Sequence, residues 1–326
     1  MKKGFLVMFL GIFMLLLTAC SSPERTYYFA MNDFNEDSSW VYWVVIVKEG
    51  DKIVDAEWNA FNIQGDANKT FNGMDKYQAS VEHKYDMTPG RDQNPGELWW
   101  HEQADLIIEK LIATNNINDR IPVPTGATIT TDDFYTLAEK AIANGPVEKG
   151  EYKDGYHFVS LKSNAEPHEV VNYWDPKSES VRTVAEWDSW TFGSFIVVNG
   201  TIKMAYFNNV FNGYRVQFNE QGKIVKQEVD LDNDPETDPV KLNVIADYVG
   251  DAPKLYLTKN ELGKSYGMSV VSGAEEYDTQ ARLAGNYLVQ NQSFPSLNDD
   301  NRFDGMTGVT IHTNDFVSLW QMLPKA

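Results

Sequence analysis

Cysteine is almost absent from this chain, since Cys20 is the only one among 326 residues. A single thiol excludes an intrachain disulfide and the grouped cysteines that hold an iron–sulfur cluster. Histidine is also scarce, and the five histidines show no metal-ligand spacing, so no metal site is predicted. The sequence contains neither a Gly-x-Ser-x-Gly motif nor a phosphate-binding loop, and it therefore indicates neither a hydrolase nor an NTPase.

Positively charged residues are also few relative to negatively charged ones. The chain has 28 Lys and Arg against 47 Asp and Glu, a formal net charge of −19. Such an acidic surface repels nucleic acid and anionic lipid headgroups, so neither is expected as a partner. The charge either serves solubility alone or attracts cations and basic partners.

Long apolar runs are confined to the N-terminus. Lys2 and Lys3 precede an apolar segment at residues 5–17, which ends at Leu17-Thr18-Ala19-Cys20. This pattern is typical of a signal peptide at residues 1–19, and Leu-Thr-Ala-Cys resembles the lipobox of bacterial lipoproteins. We expect a lipidated Cys20, a tether at residues 20–25, and a lipid-anchored protein on the extracellular face of the cell membrane. The alternative is a short membrane helix with an ordinary cysteine.

Residues 125–134 and 307–316 are almost alike. In each stretch, a Gly turn delivers a Thr to the start of a segment with helical periodicity. The residue types that favour helix N-caps are Thr131, Asp132, Thr313 and Asn314. Because the first amides of a helix and its dipole favour an anion, the pattern predicts a phosphate site at each copy.

The elements before each motif are also alike, which indicates a duplicated domain. Each half has a hairpin, an amphipathic helix and a final helix, predicted at 40–58, 104–111 and 132–143, and at 195–207, 277–288 and 314–322. Strands followed by helices predict an α+β fold of two tandem domains, at residues 26–147 and 148–326. In each domain we expect a small antiparallel sheet with helices packed on one side.

The second copy is longer than the first. Ile53 aligns with Ile202 at an offset of 149, and Thr128 aligns with Thr310 at an offset of 182, which leaves 33 extra residues. We place them near residues 214–254, as an added hairpin of segments 214–218 and 224–229 followed by an acidic loop.

The segment Asp304-Gly305-Met306-Thr307-Gly308-Val309-Thr310 resembles the flavinylation motif of FMN-binding domains, Asp-x-x-[Ser/Thr]-Gly-Ala-[Ser/Thr]. Tandem copies behind a lipobox resemble the flavin-bearing lipoproteins of Gram-positive extracellular electron transfer. The resemblance implies two FMN groups, joined through their phosphates to Thr310 and Thr128 by a flavin transferase that uses FAD and Mg²⁺. The other residues matched to the motif are Asp304, Gly305, Thr307 and Gly308 in the second copy, and Thr125, Gly126 and Ala127 in the first.

The two copies depart from the motif in different ways. The second has Val309 in place of Ala, which we expect to add two methyl groups beside the acceptor. The first has Pro122 where the Asp belongs, and Asp119 replaces that Asp only if the loop folds back. Thr310 is therefore the better matched acceptor. Without a cofactor, both motifs would be helix N-cap turns only.

A tethered flavin ring needs an aromatic or apolar surface, which the nine tryptophans can supply. The candidates nearest the predicted elements are Trp58, Trp99, Trp100, Trp187 and Trp190. We expect most of them to lie in the core.

The resemblance implies an electron carrier more than an enzyme with a substrate pocket. A membrane NADH dehydrogenase and quinones would supply the electrons, and ferric iron or another extracellular acceptor would take them. The alternative is a non-redox binding or adhesion lipoprotein that has lost its flavin, which Pro122 and Val309 favour. Under either hypothesis, the apolar segment 5–17 resembles the source of peptide pheromones in some such lipoproteins.

Overall fold

The structure is a computed structural model that describes residues 24–35, 38–85, 87, 98–117, 128–231, 234 and 237–326. The predicted signal peptide, Cys20 and most of the tether lie outside these residues. In and just before the first motif, the same holds for Asp119, Pro122, Thr125, Gly126 and Ala127. Arg25, assigned to the tether, is instead the first residue of a strand. Within the described ranges, no helix is long and apolar enough to cross a membrane.

The first half is a three-stranded antiparallel sheet. Its strands are β1 (Arg25–Met31), β2 (Trp40–Glu49) and β3 (Lys52–Asn62), in the order β1-β2-β3 across the sheet. The predicted hairpin is confirmed, with a two-residue turn at 50–51. Three described helices follow: α1 (Lys76–Val81), α2 (Trp100–Thr114) and α3 (Asp132–Ala143). The amphipathic pattern thus predicted the position of α2 and both ends of α3.

The second half contains the remaining elements. Its strands are β4 (Gly155–Ser160), β5 (Glu166–His168), β6 (Val171–Asp175), β7 (Ser180–Val184), β8 (Trp187–Ser189), β9 (Thr191–Val198), β10 (Thr201–Tyr214), β11 (Lys226–Val229), β12 (Val240–Val244), β13 (Tyr248–Val249), β14 (Ala252–Pro253) and β15 (Leu255–Thr258). Its helices are α4 (Lys259–Leu262), α5 (Met268–Ser272), α6 (Tyr277–Asn291) and α7 (Asn314–Gln321). Short 3-10 turns lie at Lys162–Asn164 and Gly263–Tyr266 in this half and at Gly65–Ala67 in the first half.

The main sheet of the second half repeats the first. Its order is β15-β10-β9-β4, and its central β9–β10 hairpin corresponds to β2–β3. Asn199 and Gly200 form the turn with φ of 52° and 76°, as the Asn-Gly signal predicted. Helices α6 and α7 cover one face of this sheet through a shared apolar core.

The extra residues of the second half form a separate sheet with the order β11-β12-β6-β7. The predicted hairpin forms at its turn, where Phe218 and Ile224 bridge, the Val225 amide donates to the Gln217 carbonyl, and the Asn219 amide donates to the Lys223 carbonyl. It does not extend further, because residues 226–229 form β11 and pair with β12 instead. Strands β6 and β7 precede β9, so part of the added sheet lies outside the predicted 214–254 insertion.

The two main sheets pack face to face, and each is therefore buried on both sides. Val44 and Ile46 of β2 point to the helices of the first half, whereas Trp43 and Val45 point to the second sheet. Residues of β9 and β10, among them Ile196, complete that central core. The α+β class is confirmed, in four layers of helices, sheet, sheet and helices.

Candidate functional site

Thr128 lies at the rim of a cleft on the helix-bearing face of the first sheet. This first cleft has a volume of about 480 Å³. It is lined by Tyr42, Trp58, Lys76, Tyr85, Met87, Trp100, Thr128, Ile129, Thr130 and Asp133. Thr128 is exposed, and α3 begins four residues after it.

A buried glutamine fixes the backbone at Thr128. Gln103 Oε1 accepts hydrogen bonds from the amides of Thr128 at 2.6 Å and Ile129 at 3.1 Å. Gln103 has no exposed surface, and its Nε2 donates to the Leu98 carbonyl at 2.7 Å. Both ends of the side-chain amide are thus occupied, so the glutamine holds the threonine in one place.

The second half repeats this arrangement atom for atom. Gln280 Oε1 accepts from the amides of Thr310 at 2.6 Å and Ile311 at 3.1 Å, and Gln280 Nε2 donates to the Glu275 carbonyl at 2.6 Å. Gln280 is also fully buried. Glutamine therefore binds the amides beside the threonine in both halves, whereas the phosphate site predicted from the sequence concerns the first amides of the following helix.

The first amides of α3 and α7, which the sequence analysis matched to a phosphate, lie one turn later. Thr131 and Thr313 occupy the N-cap positions, but neither side chain makes a capping hydrogen bond. The N-cap prediction is wrong in that respect because both residues have ψ near zero, whereas a capping side chain needs an extended backbone. The hydroxyls of Thr131 and Thr313 therefore do not compete with a ligand for the first amides of either helix.

Thr310 lies at a second cleft, in the corresponding place on the second sheet. This second cleft has a volume of about 760 Å³. Its lining includes Glu166, Thr191, Lys259, Tyr266, Tyr277, Arg302, Thr310, His312, Asp315 and Phe316. Thr310 is exposed, and its hydroxyl lies 3.3 Å from Gln280 Oε1.

The second motif has the backbone that its glycines predict. Gly305 and Gly308 have φ of 74° and 84°, a region that favours glycine. Asp304 and Thr307 are exposed and do not line the second cleft. Val309 is buried in the core of the second half. Its methyl groups therefore pack in the core and not beside the exposed Thr310 hydroxyl as expected.

A buried lysine in the first cleft was not predicted. Lys76 is 2% exposed, and its ammonium nitrogen donates to the Tyr42 hydroxyl. The same nitrogen lies over the rings of Tyr85 at 4.2 Å and Trp100 at 5.0 Å. Burial lowers the pKa of Lys76 to about 7. It forms no ion pair with any residue in the described part of the chain.

Lys259 is the counterpart of Lys76 in the second cleft. Each lysine is the first residue of a helix after the sheet, α1 in one half and α4 in the other. Lys259 Nζ lies 4.9 Å from the ring of Tyr266 and 5.0 Å from that of Tyr277. It is less buried than Lys76, and it shares its cleft with Arg302 and with the carboxylates of Glu166 and Asp315.

Two of the five candidate tryptophans, Trp58 and Trp100, line the first cleft. The others contact the protein elsewhere, since Trp187 stacks on His168, Trp190 donates to Asp66, and Trp99 packs on His83.

The donors of the first cleft fit an anionic aromatic ligand. The buried indole nitrogen of Trp58 has no hydrogen-bond partner in the described structure. The same is true of Trp43 and Trp187, which do not line the cleft, so this nitrogen does not mark a ligand site. Lys76 adds a cation that forms no ion pair among the described residues, and Tyr42 and Trp100 add ring surface. A cation beside aromatic rings suits a planar ligand with acceptor oxygens or nitrogens. Among the described residues, no group of three or more His, Cys, Asp or Glu is placed to hold a metal ion.

The chain matches no protein-family model and no curated protein. Among solved structures, it is similar to a Clostridium thermocellum protein whose solution NMR structure comes from the Northeast Structural Genomics Consortium. The two sequences are 32% identical over 38% of this chain and 92% of that chain, with a TM-score of 0.25. A TM-score that low carries no argument about fold or function.

Proposed function

We propose that this protein is a lipid-anchored extracellular electron carrier with FMN attached covalently to Thr310 and Thr128. The observation that carries the proposal is the repeated site. In both halves, an exposed threonine stands before an uncapped helix, a buried glutamine holds its backbone, and a lysine and aromatic rings line the adjoining cleft. A helix N-cap turn that binds no ligand would require neither the lysine nor the buried glutamine, yet both halves contain both residues.

Each group has a role that its chemistry suggests. The first amides of α3 and α7 would donate hydrogen bonds to the phosphodiester, which carries one negative charge. Lys76 and Lys259 would place positive charge beside the ring. FMN, when bound, would supply the redox chemistry.

The partners follow from the resemblance and remain part of the proposal. A flavin transferase with FAD and Mg²⁺ would attach the flavins, and Asp304 would contribute to its recognition of the second motif. A membrane NADH dehydrogenase and quinones would donate electrons, and ferric iron or another extracellular acceptor would receive them. Lipid on Cys20 would keep the protein at the membrane.

The test is the intact mass of the mature protein after co-expression with a flavin transferase. We expect two FMN adducts, of which Thr310→Ala removes one and Thr128→Ala the other. Thr130→Ala and Ser318→Ala are matched controls, because both hydroxyls are exposed near the same helix starts and should leave both adducts. Absence of any adduct from the wild-type protein would refute the proposal.

The second candidate is a non-redox binding or adhesion lipoprotein. Asp133 and Asp315 favour it, because each places a carboxylate at a helix start where a phosphate would lie. The Asp315 carboxylate accepts a hydrogen bond from the Thr191 hydroxyl at 2.6 Å, which partly offsets the negative charge of the carboxylate. A colourless protein without adducts in the mass experiment would support this candidate.

A further inference from the structure

A third cavity lies where the two halves meet, and neither threonine lines it. This junction cavity, of about 300 Å³, has walls from Phe34 and Ile63 of the first half and from β10, β15, α4 and α6 of the second. A volume of this size is at the lower end for small-molecule sites and suits a ligand of two or three rings.

The junction cavity has an excess of positive charge in a chain whose net charge is −19. Its charged lining residues are Lys203, Arg215, Lys254, Arg282, Glu261 and Asp278. Asp278 pairs with Arg282 at 3.3 Å, so these two charges offset each other. Lys203 and Lys254 form no ion pair with any described residue. Arg215 pairs with Asp247 at 3.8 Å, so the excess that favours an anion comes from Lys203 and Lys254.

Both anionic oxygens of Glu261 are already in use. Its Oε1 accepts from Gln64 Nε2 at 2.7 Å, a bond that joins the two halves. Its Oε2 accepts from the Thr258 hydroxyl at 2.9 Å and the Leu257 amide at 3.2 Å. These donors stabilise the carboxylate and weaken its opposition to a bound anion.

Aromatic rings form the flat surfaces of the junction cavity. Arg215 Cζ lies 4.6 Å from the ring of Tyr256, and Lys254 Nζ lies 4.8 Å from it. Phe34 stacks on Tyr206 with 5.2 Å between ring centres, yet Phe34 remains 37% exposed. Cations beside rings are suited to a planar ligand that carries negative charge.

One pair of rings separates the junction cavity from the second cleft. Phe207 lines the junction cavity, and Phe316 lines the second cleft. Their rings stack with 4.5 Å between centres. A ligand in the junction cavity would therefore be a near neighbour of a group attached at Thr310.

We propose that the junction cavity binds a small planar aromatic anion. Its role as a redox partner rests on the proposed function. A quinone of this charge would take two electrons and two protons to become the hydroquinone, and the reduced flavin of the second cleft would be their source.

The first test is calorimetric titration of the mature, unflavinylated protein with anthraquinone-2,6-disulfonate. We expect one site per chain that depends on Lys203 and Lys254, apart from any binding at the two empty clefts, and we expect salt to weaken it because the attraction is partly electrostatic. Lys203→Gln with Lys254→Gln should weaken binding by about tenfold, and Phe34→Ala should weaken it as well. The matched control is Lys69→Gln with Lys110→Gln, which removes two exposed lysines elsewhere and should change nothing. No binding, or equal binding by all variants, would overturn the proposal.

The second test uses the protein with FMN on Thr310. Reoxidation of its reduced flavin by the disulfonate should slow by about tenfold in the double lysine variant, whereas reoxidation by uncharged 2-(hydroxymethyl)anthraquinone should not. Equal slowing with both oxidants would overturn the redox role. If no FMN attaches but the probe binds through the lysines, the electron-carrier proposal fails and the binding site stands. If FMN attaches but the probe does not bind, the electron-carrier proposal stands and the proposed binding site fails.

Discussion

Replacement of Lys76 by methionine should stabilise the protein at neutral pH. Lys76 is 2% exposed, has no carboxylate partner among the described residues, and has a pKa lowered by burial from 10.5 to about 7. Methionine fills a similar volume without a charge, so Lys76→Met removes the cost of burying the ammonium. It also leaves the Tyr42 hydroxyl without its donor, a loss that does not depend on pH in the neutral range.

The sign and size follow from the two pKa values. Since the folded-state pKa is lowered, the folded protein binds fewer protons than the unfolded chain between about pH 7 and 10.5. The destabilisation is therefore fully present below the folded-state pKa and disappears as the pH rises towards the unfolded-state value. At about 1.4 kcal/mol per pKa unit, the shift sets an upper bound of about 5 kcal/mol. The rings around Nζ stabilise the ammonium and reduce this, so we expect about 2–4 kcal/mol.

Urea unfolding between pH 6 and pH 10 measures the effect. The difference in unfolding free energy between Lys76→Met and wild type should fall by about 2–4 kcal/mol across this range. Other titrating groups cancel in the difference. Lys69→Met is the control, because Lys69 is exposed and should give a difference independent of pH. Parallel curves for Lys76→Met and wild type would refute the reasoning.

Four further substitutions test the second motif. Gln280→Leu leaves the part-buried amides of Thr310 and Ile311 without an acceptor, which should lower the unfolding free energy by about 2–4 kcal/mol and reduce FMN incorporation at Thr310, read by intact mass. Gly308→Ala should cost about 1–2 kcal/mol in thermal unfolding because of its positive φ. It should cost more than Gly305→Ala, whose new Cβ meets no neighbour. Val309→Ala should lower stability by about 2 kcal/mol in urea without a change in FMN incorporation, and impaired incorporation would show that Val309 does face the acceptor.

Local patterns predicted the elements well and their long-range pairing poorly. The Asn199-Gly200 turn and the apolar faces of α2, α3 and α6 are properties of neighbouring residues, so the sequence specifies them directly. The alternation of residues 214–229 predicted a hairpin, which forms only at residues 217–225. Residues 226–229 pair instead with β12, which lies beside β6, about fifty residues earlier in the chain than β11, and a local pattern cannot predict such a distant partner.

The site was predicted at its threonines but not at the groups that support them. Nothing in the motif itself points to Gln103 or Gln280, because each lies on another helix and acts on the motif across space. The signal was nevertheless present in the repeat. Alignment of Trp100 with Tyr277, the first residues of α2 and α6, places Gln103 on Gln280, a polar residue on a buried face in both copies. A buried polar position kept in duplicate predicts a hydrogen-bond role.

The packing of the two sheets also bears on how an electron carrier would work. The central core joins the sheets by the faces that lack helices, so each cleft lies on an outer, helix-bearing face. Packed sheets lie about 10 Å apart, which places the two clefts on opposite sides of a rigid four-layer body. A donor and an acceptor could then approach different faces at the same time. The first cleft has Lys76 and Asp133, whereas the second has Lys259 and Arg302 with Glu166 and Asp315, so two identical flavins would have different potentials there.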